Sequence, residues 1–239
     1  MEKSVYLSPS TQENNHYTDG ATEETEMNSL CDIVEPYLKK HGVKTYRNKP
    51  TMNLNQVAND SNAKKPGIHF ALHSNARGSS KGVARGCSIY IHTKTCPDSY
   101  KLAASVYKQV SEVTPTADRG IMESKDHFGP GKPLYELAYT NAPGALLEAF
   151  FHDNSDDVKW YRLKKTVLAH AVGNGILNFF DIPIQPQTAE DIATEMLKAG
   201  LITDKPYWVS VLSGTQIPNF EYLKITYLRA LQKINKTAI

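Results

Sequence analysis

Three side chains carry most of the chemistry this sequence can offer: His73, Glu24 and Glu148. His73 closes the apolar run Gly67-Ile-His-Phe-Ala-Leu-His73 and is followed by polar Ser74-Asn75. A buried strand therefore delivers an imidazole at its carboxyl end, which is where open α/β sheets bind ligands. Glu148 lies inside Ala145-Leu-Leu-Glu-Ala-Phe150, and a carboxylate among Leu and Phe is costly unless a metal, a cation or a proton compensates it. Glu24 precedes Met27 by one helical turn, so it falls on the core-facing stripe of a predicted helix. A helix-borne Glu and a strand-borne His can share a divalent cation, with a second Glu nearby as base. A buried ion pair, or a protonated Glu148, explains the same residues without one.

These residues need a scaffold, and the sequence supplies alternating strands and helices. Ser4 to Leu7 reads as a strand ended by Ser8-Pro9-Ser10. Met27, Leu30, Cys31, Val34, Tyr37 and Leu38 predict a helix ending near His41-Gly42, with a kink at Pro36. A strand near Val43 to Arg47, a helix near Leu54 to Ala63 and the His73 strand follow. Cys87 to His92 predicts a further strand, and Leu102, Ala103, Val106, Val110 and Val113 mark one side of a helix. Gly144 to Phe151 reads as a buried strand, followed by a helix from about Asp156 toward Phe180. This pattern predicts an α/β fold, with a mostly parallel central sheet flanked by helices, over residues 1–182. Pro183 and Pro186 mark a linker. Beyond it, Ile192, Met196, Leu197 and Leu201, then Tyr207 to Leu212, then Tyr222, Ile225, Leu228 and Leu231 predict a small helical domain over 187–239. Wall-polymer recognition and homodimerisation are the two roles open to it.

At 239 residues, 40% apolar and 22% charged, the chain can bury one medium core plus a small appendage. A formal charge of +2 carries no basic stripe, which argues against a nucleic-acid partner. Its 3 cysteines, Cys31, Cys87 and Cys96, form no C-x-x-C pair, which argues against a thiolate metal site and fits a reducing compartment. Nothing in the chain is apolar enough to insert in a membrane. Met1-Glu-Lys-Ser-Val-Tyr6 has no apolar signal core, so the expectation is cytoplasmic synthesis, with holin-type export or lysis giving access to anything outside.

From about Ser4 to Phe180 the sequence resembles the zinc-dependent N-acetylmuramoyl-L-alanine amidases of the Amidase_3 type, found in phage endolysins and bacterial autolysins. An ordered set of motifs carries the resemblance: Thr22-Glu-Glu-Thr-Glu-Met-Asn28, Ala71-Leu-His-Ser-Asn-Ala76, Asp118-Arg-Gly120, Leu134-Tyr-Glu-Leu137 and Ala142-Pro-Gly-Ala-Leu-Leu-Glu-Ala-Phe-Phe-His-Asp-Asn154. It implies zinc as cofactor, peptidoglycan as substrate, Glu24 and His73 as metal ligands, and Glu148 as the catalytic carboxylate. In one place the sequence departs from that family. Where its members carry a first zinc-binding His in a Gly-His segment after strand one, Ser8-Pro9-Ser10 stands here.

Catalytic zinc normally has three protein ligands, so another residue must fill the gap. His69 is four residues before His73 on one strand, roughly 13 Å away at about 3.3 Å per residue, and is set aside as a ligand. His152 follows the end of the Glu148 strand, where Asp153-Asn154 lets the chain curl over the sheet edge, and is the preferred third ligand. His16, in a loop between Asn15 and Tyr17, is the alternative. Zinc would activate a water, and Glu148 would pass its proton to the departing L-alanine nitrogen. Asn75, Arg119 and Tyr135 are weaker candidates for holding substrate, while His92, Trp160 and Trp208 receive no role. Two readings compete with the amidase: a zinc carboxypeptidase or endopeptidase cutting within the stem peptide, and a non-catalytic wall-binding module whose metal site has decayed.

Overall fold

A computed structural model of the chain describes residues 1–78, 82–115, 119–185 and 188–237. They form two compact units, Met1–Ile184 and Gln185–Ile239. The first unit runs β1 (Ser4–Pro9), α1 (Glu23–Lys40), β2 (Lys44–Arg47), α2 (Leu54–Lys64), β3 (Ile68–Asn75), β4 (Ser88–Ile91), α3 (Pro97–Val113), β5 (Ile121–Glu123), α4 (Tyr135–Tyr139), β6 (Gly144–Phe151) and α5 (Ser155–Phe179). The strands make one sheet in the order β2-β1-β3-β6-β4-β5. Every pair is parallel except β4 with β6. The mostly parallel α/β sheet flanked by helices expected from the sequence is therefore what the chain forms.

Side chains alternate across the sheet, and the two faces differ in character. Val5, Leu7, Ile68, Phe70, Leu72, Ala145 and Leu147 point into the main core. There they meet the stripes of α1 (Met27, Leu30, Val34, Leu38), α3 (Leu102, Val106, Val110) and α5 (Leu168, Val172, Ile176). The opposite face has a smaller apolar cluster, Ala71, Tyr90, Leu137 and Leu146, beneath α4. Because β1, β3 and β6 are covered on both faces, their residues are almost all buried, which is why they read as continuous apolar runs.

The strand and helix ends that face the site have local causes. Thr22 caps α1 by accepting from the Thr25 backbone N–H, and Glu23, Glu24 and Glu26 in the first turn complement the helix dipole. The helix continues through Pro36 to Lys40. In β6 the register slips: His73 pairs with Glu148, but Asn75 pairs with Phe151, so a bulge lies just beyond Glu148. α3 and α5 approach closely enough at Gly175 that a Cβ there would fall on the backbone of Val106.

The second unit holds α6 (Ala189–Lys198), α7 (Lys205–Leu212) and α8 (Phe220–Thr237) around Ala193, Ile202 and Trp208. Thr188 and Asp191 form a reciprocal cap on α6. Among the described residues no helix is long and apolar enough to cross a membrane.

Candidate active site

Strand alternation puts Tyr6 and Ser8 of β1, His69 and His73 of β3, and Glu148 of β6 on one face of the sheet. A buried polar set on this face needs mutual partners, and Glu136 of α4 provides them. Its Oε2 accepts from Ser8 Oγ at 2.5 Å and pairs with His69 Nε2 at 2.9 Å, while Oε1 faces His73 Nε2 at 3.9 Å. The other nitrogen of His69 lies 3.0 Å from Ser61 Oγ, and the ring stacks on Tyr6. Burial opposes ionisation of Glu136, yet the hydrogen bond to His69 and the imidazole of His73 nearby hold its carboxyl well below the usual carboxylate range. Glu136 is a site residue not expected from the sequence, although a carboxylate inside Leu134-Tyr-Glu-Leu137 shows the same signal that marks Glu148. His69, set aside on strand spacing alone, belongs to this network as the support of Glu136 and has no bond to spare for an ion.

The opposite edge of the His73 ring meets α1. His73 Nδ1 lies 2.8 Å from Glu23 Oε1, which also accepts from the Ser74 backbone N–H at 3.3 Å. Asn15 Nδ2 donates to Glu23 Oε2 at 2.7 Å and to Gln12 Oε1 at 2.8 Å. The carboxylate expected at Glu24 is thus placed one residue earlier, and Glu24 itself is only half-buried. The reason is helical phase: Glu23 stands four residues before Met27 on the stripe that continues through Leu30 and Val34, whereas Glu24 is turned aside. Burial disfavours charge on Glu23, but the hydrogen bonds to His73 and Asn15 leave its carboxyl below the ordinary value. Burial likewise opposes a charged His73, and Glu136 with Glu23 reverses that and raises its pKa well above the ordinary value.

Glu148 sits directly across from His73 in the parallel register and across from Ser88 on its other side. Its Oε2 is sealed from solvent without a hydrogen-bond partner. Burial, with Glu23 adding repulsion and His73 pulling the other way, pushes the carboxyl up to about 8. His73 Nε2 is the second sealed atom without a partner at this site.

The remaining candidates are engaged in other contacts. His152 is buried, but its Nδ1 is engaged by the backbone oxygen of Ser74 at 2.9 Å and by its hydroxyl at 3.0 Å, and the ring stacks on Tyr17. His16 is exposed in a short bridge to Thr22. The set Glu24, His73 and His152 is therefore not gathered about one point. Asn75 uses its carbonyl to accept from the His152 backbone. Tyr135 stacks on Tyr139 and accepts from Asn55 on the surface of the same face. Arg119 lies over the Phe151 ring and donates to the Arg85 carbonyl. Asp118 lies outside the described residues.

Among the described residues no three His, Cys, Asp or Glu side chains converge as a ready-made metal site. The pair His73 and Glu23 nevertheless suits a divalent cation. An imidazole nitrogen and a carboxylate meet at hydrogen-bond distance, and a second carboxylate, Glu136, stands behind the far ring nitrogen, as the outer shell of a metal-bound histidine requires. The short contact between His73 Nδ1 and Glu23 Oε1 marks the position a cation would take in exchange for the proton between them.

The sequence profile of the family described as N-acetylmuramoyl-L-alanine amidase matches residues 10–178. No curated protein matches the chain. Among solved structures, an N-acetylmuramoyl-L-alanine amidase from Clostridium difficile 630 superposes with a TM-score of 0.66 at 19% identity, covering 75% of this chain and 97% of its own. AmiC2 of Nostoc punctiforme, an N-acetylmuramoyl-L-alanine amidase, gives 0.64 at 18% identity over 74% and 97% of the two chains. The catalytic domain of the CD27L endolysin targeting Clostridia difficile gives 0.58 at 18% over 73% and 97%. At these identities the superpositions establish the fold.

Proposed function

Because the chain belongs to the N-acetylmuramoyl-L-alanine amidase family, we propose that it hydrolyses the amide bond between N-acetylmuramic acid and L-alanine in bacterial peptidoglycan, with zinc as its cofactor. The observation that carries this reading is the meeting of Glu23 with His73 at the carboxyl edge of the sheet, directly across from the unpartnered carboxyl of Glu148. Glu23 through its carboxylate and His73 through Nδ1 would hold the ion. Bound zinc supplies polarisation of the scissile carbonyl and a water whose pKa falls from about 15.7 toward about 7.

The chain's own residues do the rest. Glu148, whose raised pKa a bound cation's charge would bring back down, takes the proton from the attacking water and delivers it to the alanine nitrogen as the C–N bond breaks, so one carboxyl serves as base and then as acid. Water supplies the oxygen of the new lactyl carboxylate, and the stem peptide leaves with a free amine. Glu136, anchored by Ser8 and His69, stands 3.9 Å behind the far nitrogen of His73, where its negative charge favours an imidazole that binds a cation.

Digestion of defined muropeptides followed by mass analysis tests the proposal. Stem peptides beginning with a free L-alanine amine and glycan free of peptide are expected, and a chelator should abolish both. Glu148→Gln should lower kcat by roughly 10²- to 10⁴-fold, the usual contribution of a positioned acid-base group, without altering zinc content. Cleavage inside the stem would instead identify a carboxypeptidase or endopeptidase. A protein that takes up no zinc and releases nothing would be the wall-binding module.

A further inference from the structure

From the loop after β1 we infer that Gln12 is the third protein ligand of the metal site, its side-chain amide oxygen replacing the imidazole that Ser8-Pro9-Ser10 does not provide. This rests on the zinc reading above and concerns residues the family motifs leave unassigned. His73 Nδ1 has two neighbours in hydrogen-bond range: Glu23 Oε1 at 2.8 Å and the Gln12 side-chain amide at 3.4 Å. One nitrogen cannot satisfy both in this arrangement. The Glu23 carboxylate only accepts, so Nδ1 must carry a proton for it, whereas an amide NH2 only donates and needs Nδ1 bare. The conflict vanishes when the Gln12 amide is turned over, an exchange that leaves its shape unchanged. Carboxylate oxygen and amide oxygen then both lie against Nδ1, three lone pairs side by side once that nitrogen gives up its proton. A divalent cation is the species that such a set accepts.

The surroundings are consistent with that role. Gln12 N donates to Ser10 Oγ, which ties the loop to the end of β1, and Asn15 holds Glu23 Oε2 from outside. Turning the amide over gives up only the exposed bond from Asn15 to Gln12 Oε1. Gln12 is exposed, so solvent reaches its side of the site, as a catalytic rather than a structural zinc would require.

The test is zinc binding by the full-length protein, read as metal content after dialysis and as affinity in competition with a chromophoric chelator. Wild type should hold one zinc per chain. Gln12→Ala should weaken affinity by at least the roughly tenfold that even outer-shell partners cost, with an unchanged melting temperature of the zinc-free protein. Gln12→His should bind at least as tightly as wild type, and its cobalt form should show a shifted visible spectrum because nitrogen replaces oxygen. Wild-type affinity in Gln12→Ala, with the loss found in His152→Ala or His16→Ala instead, would overturn the inference while leaving the zinc reading intact. No stoichiometric zinc in wild type would overturn both.

Discussion

Removing the Glu136 side chain should unsettle the whole amidase unit, and the structure says by how much. Ser8 and His69 both address the same oxygen, Oε2, while Oε1 faces His73 alone. Glu136→Leu leaves the hydroxyl and the imidazole buried without acceptors, and breaking a buried charged network from one side costs about 3–5 kcal/mol. For a unit of this size each kcal/mol lowers Tm by roughly 2–4 °C, so a loss on the order of 6–20 °C is expected. Glu136→Gln is a sharper probe. Its carbonyl oxygen can take the place of Oε2 and keep both hydrogen bonds, leaving a loss of charge assistance of about 1–2 kcal/mol. Thermal denaturation followed by circular dichroism should therefore rank wild type above Gln and Gln well above Leu. Ser8→Ala should cost little further in the Leu background, since its partner is already gone. Equal losses for Leu and Gln, or a Leu variant melting with wild type, would refute the claim that Oε2 is the shared anchor.

Two further expectations concern stability. Glu26 accepts from Lys165 and pairs with Arg162; burial works against its charge, but these cations lower its pKa from 4.5. A depressed carboxyl contributes stability above its unfolded value and loses it as pH falls through the folded one. Wild type should therefore lose Tm as pH drops below about 4.5 more steeply than Glu26→Gln, and parallel curves in a pH series would contradict this. Gly175→Ala should cost about 1–3 kcal/mol of overpacking against Val106, read as a lower urea midpoint; an unchanged midpoint would mean that α3 and α5 separate freely.

Much of the scaffold is legible in the sequence because burial on two faces leaves a plain mark. The apolar runs around Phe70 and Leu147 are the central strands β3 and β6, and the charged member of each run, His73 or Glu148, lies at the site. What escapes is what depends on phase or on short elements. Glu23 and Glu24 differ by one residue, and only the rotation of α1 decides which carboxylate meets His73. α4 spans only Tyr135–Tyr139, too little for periodicity to register, yet it carries Glu136. β5, at Ile121–Glu123, is equally brief. His69 misleads for another reason: backbone spacing separates it from His73, while one carboxylate reaches both. The third ligand is hard to read because an amide gives no compositional hint, and only its distance from Nδ1 sets Gln12 apart.

The slip in β6 decides what stands above Glu148. Strict alternation would send Phe150 to the same side as Glu148, laying a phenyl ring over the carboxyl and closing it off from any sugar or peptide. The extra residue turns Phe150 inward instead, where it stacks on Tyr161 at 4.5 Å within the main core. Deleting Ala149 would restore the plain register with Phe150 in the inward position that Ala149 now holds, so the extra residue adds bulk to the core without moving Phe151 from its place opposite Asn75.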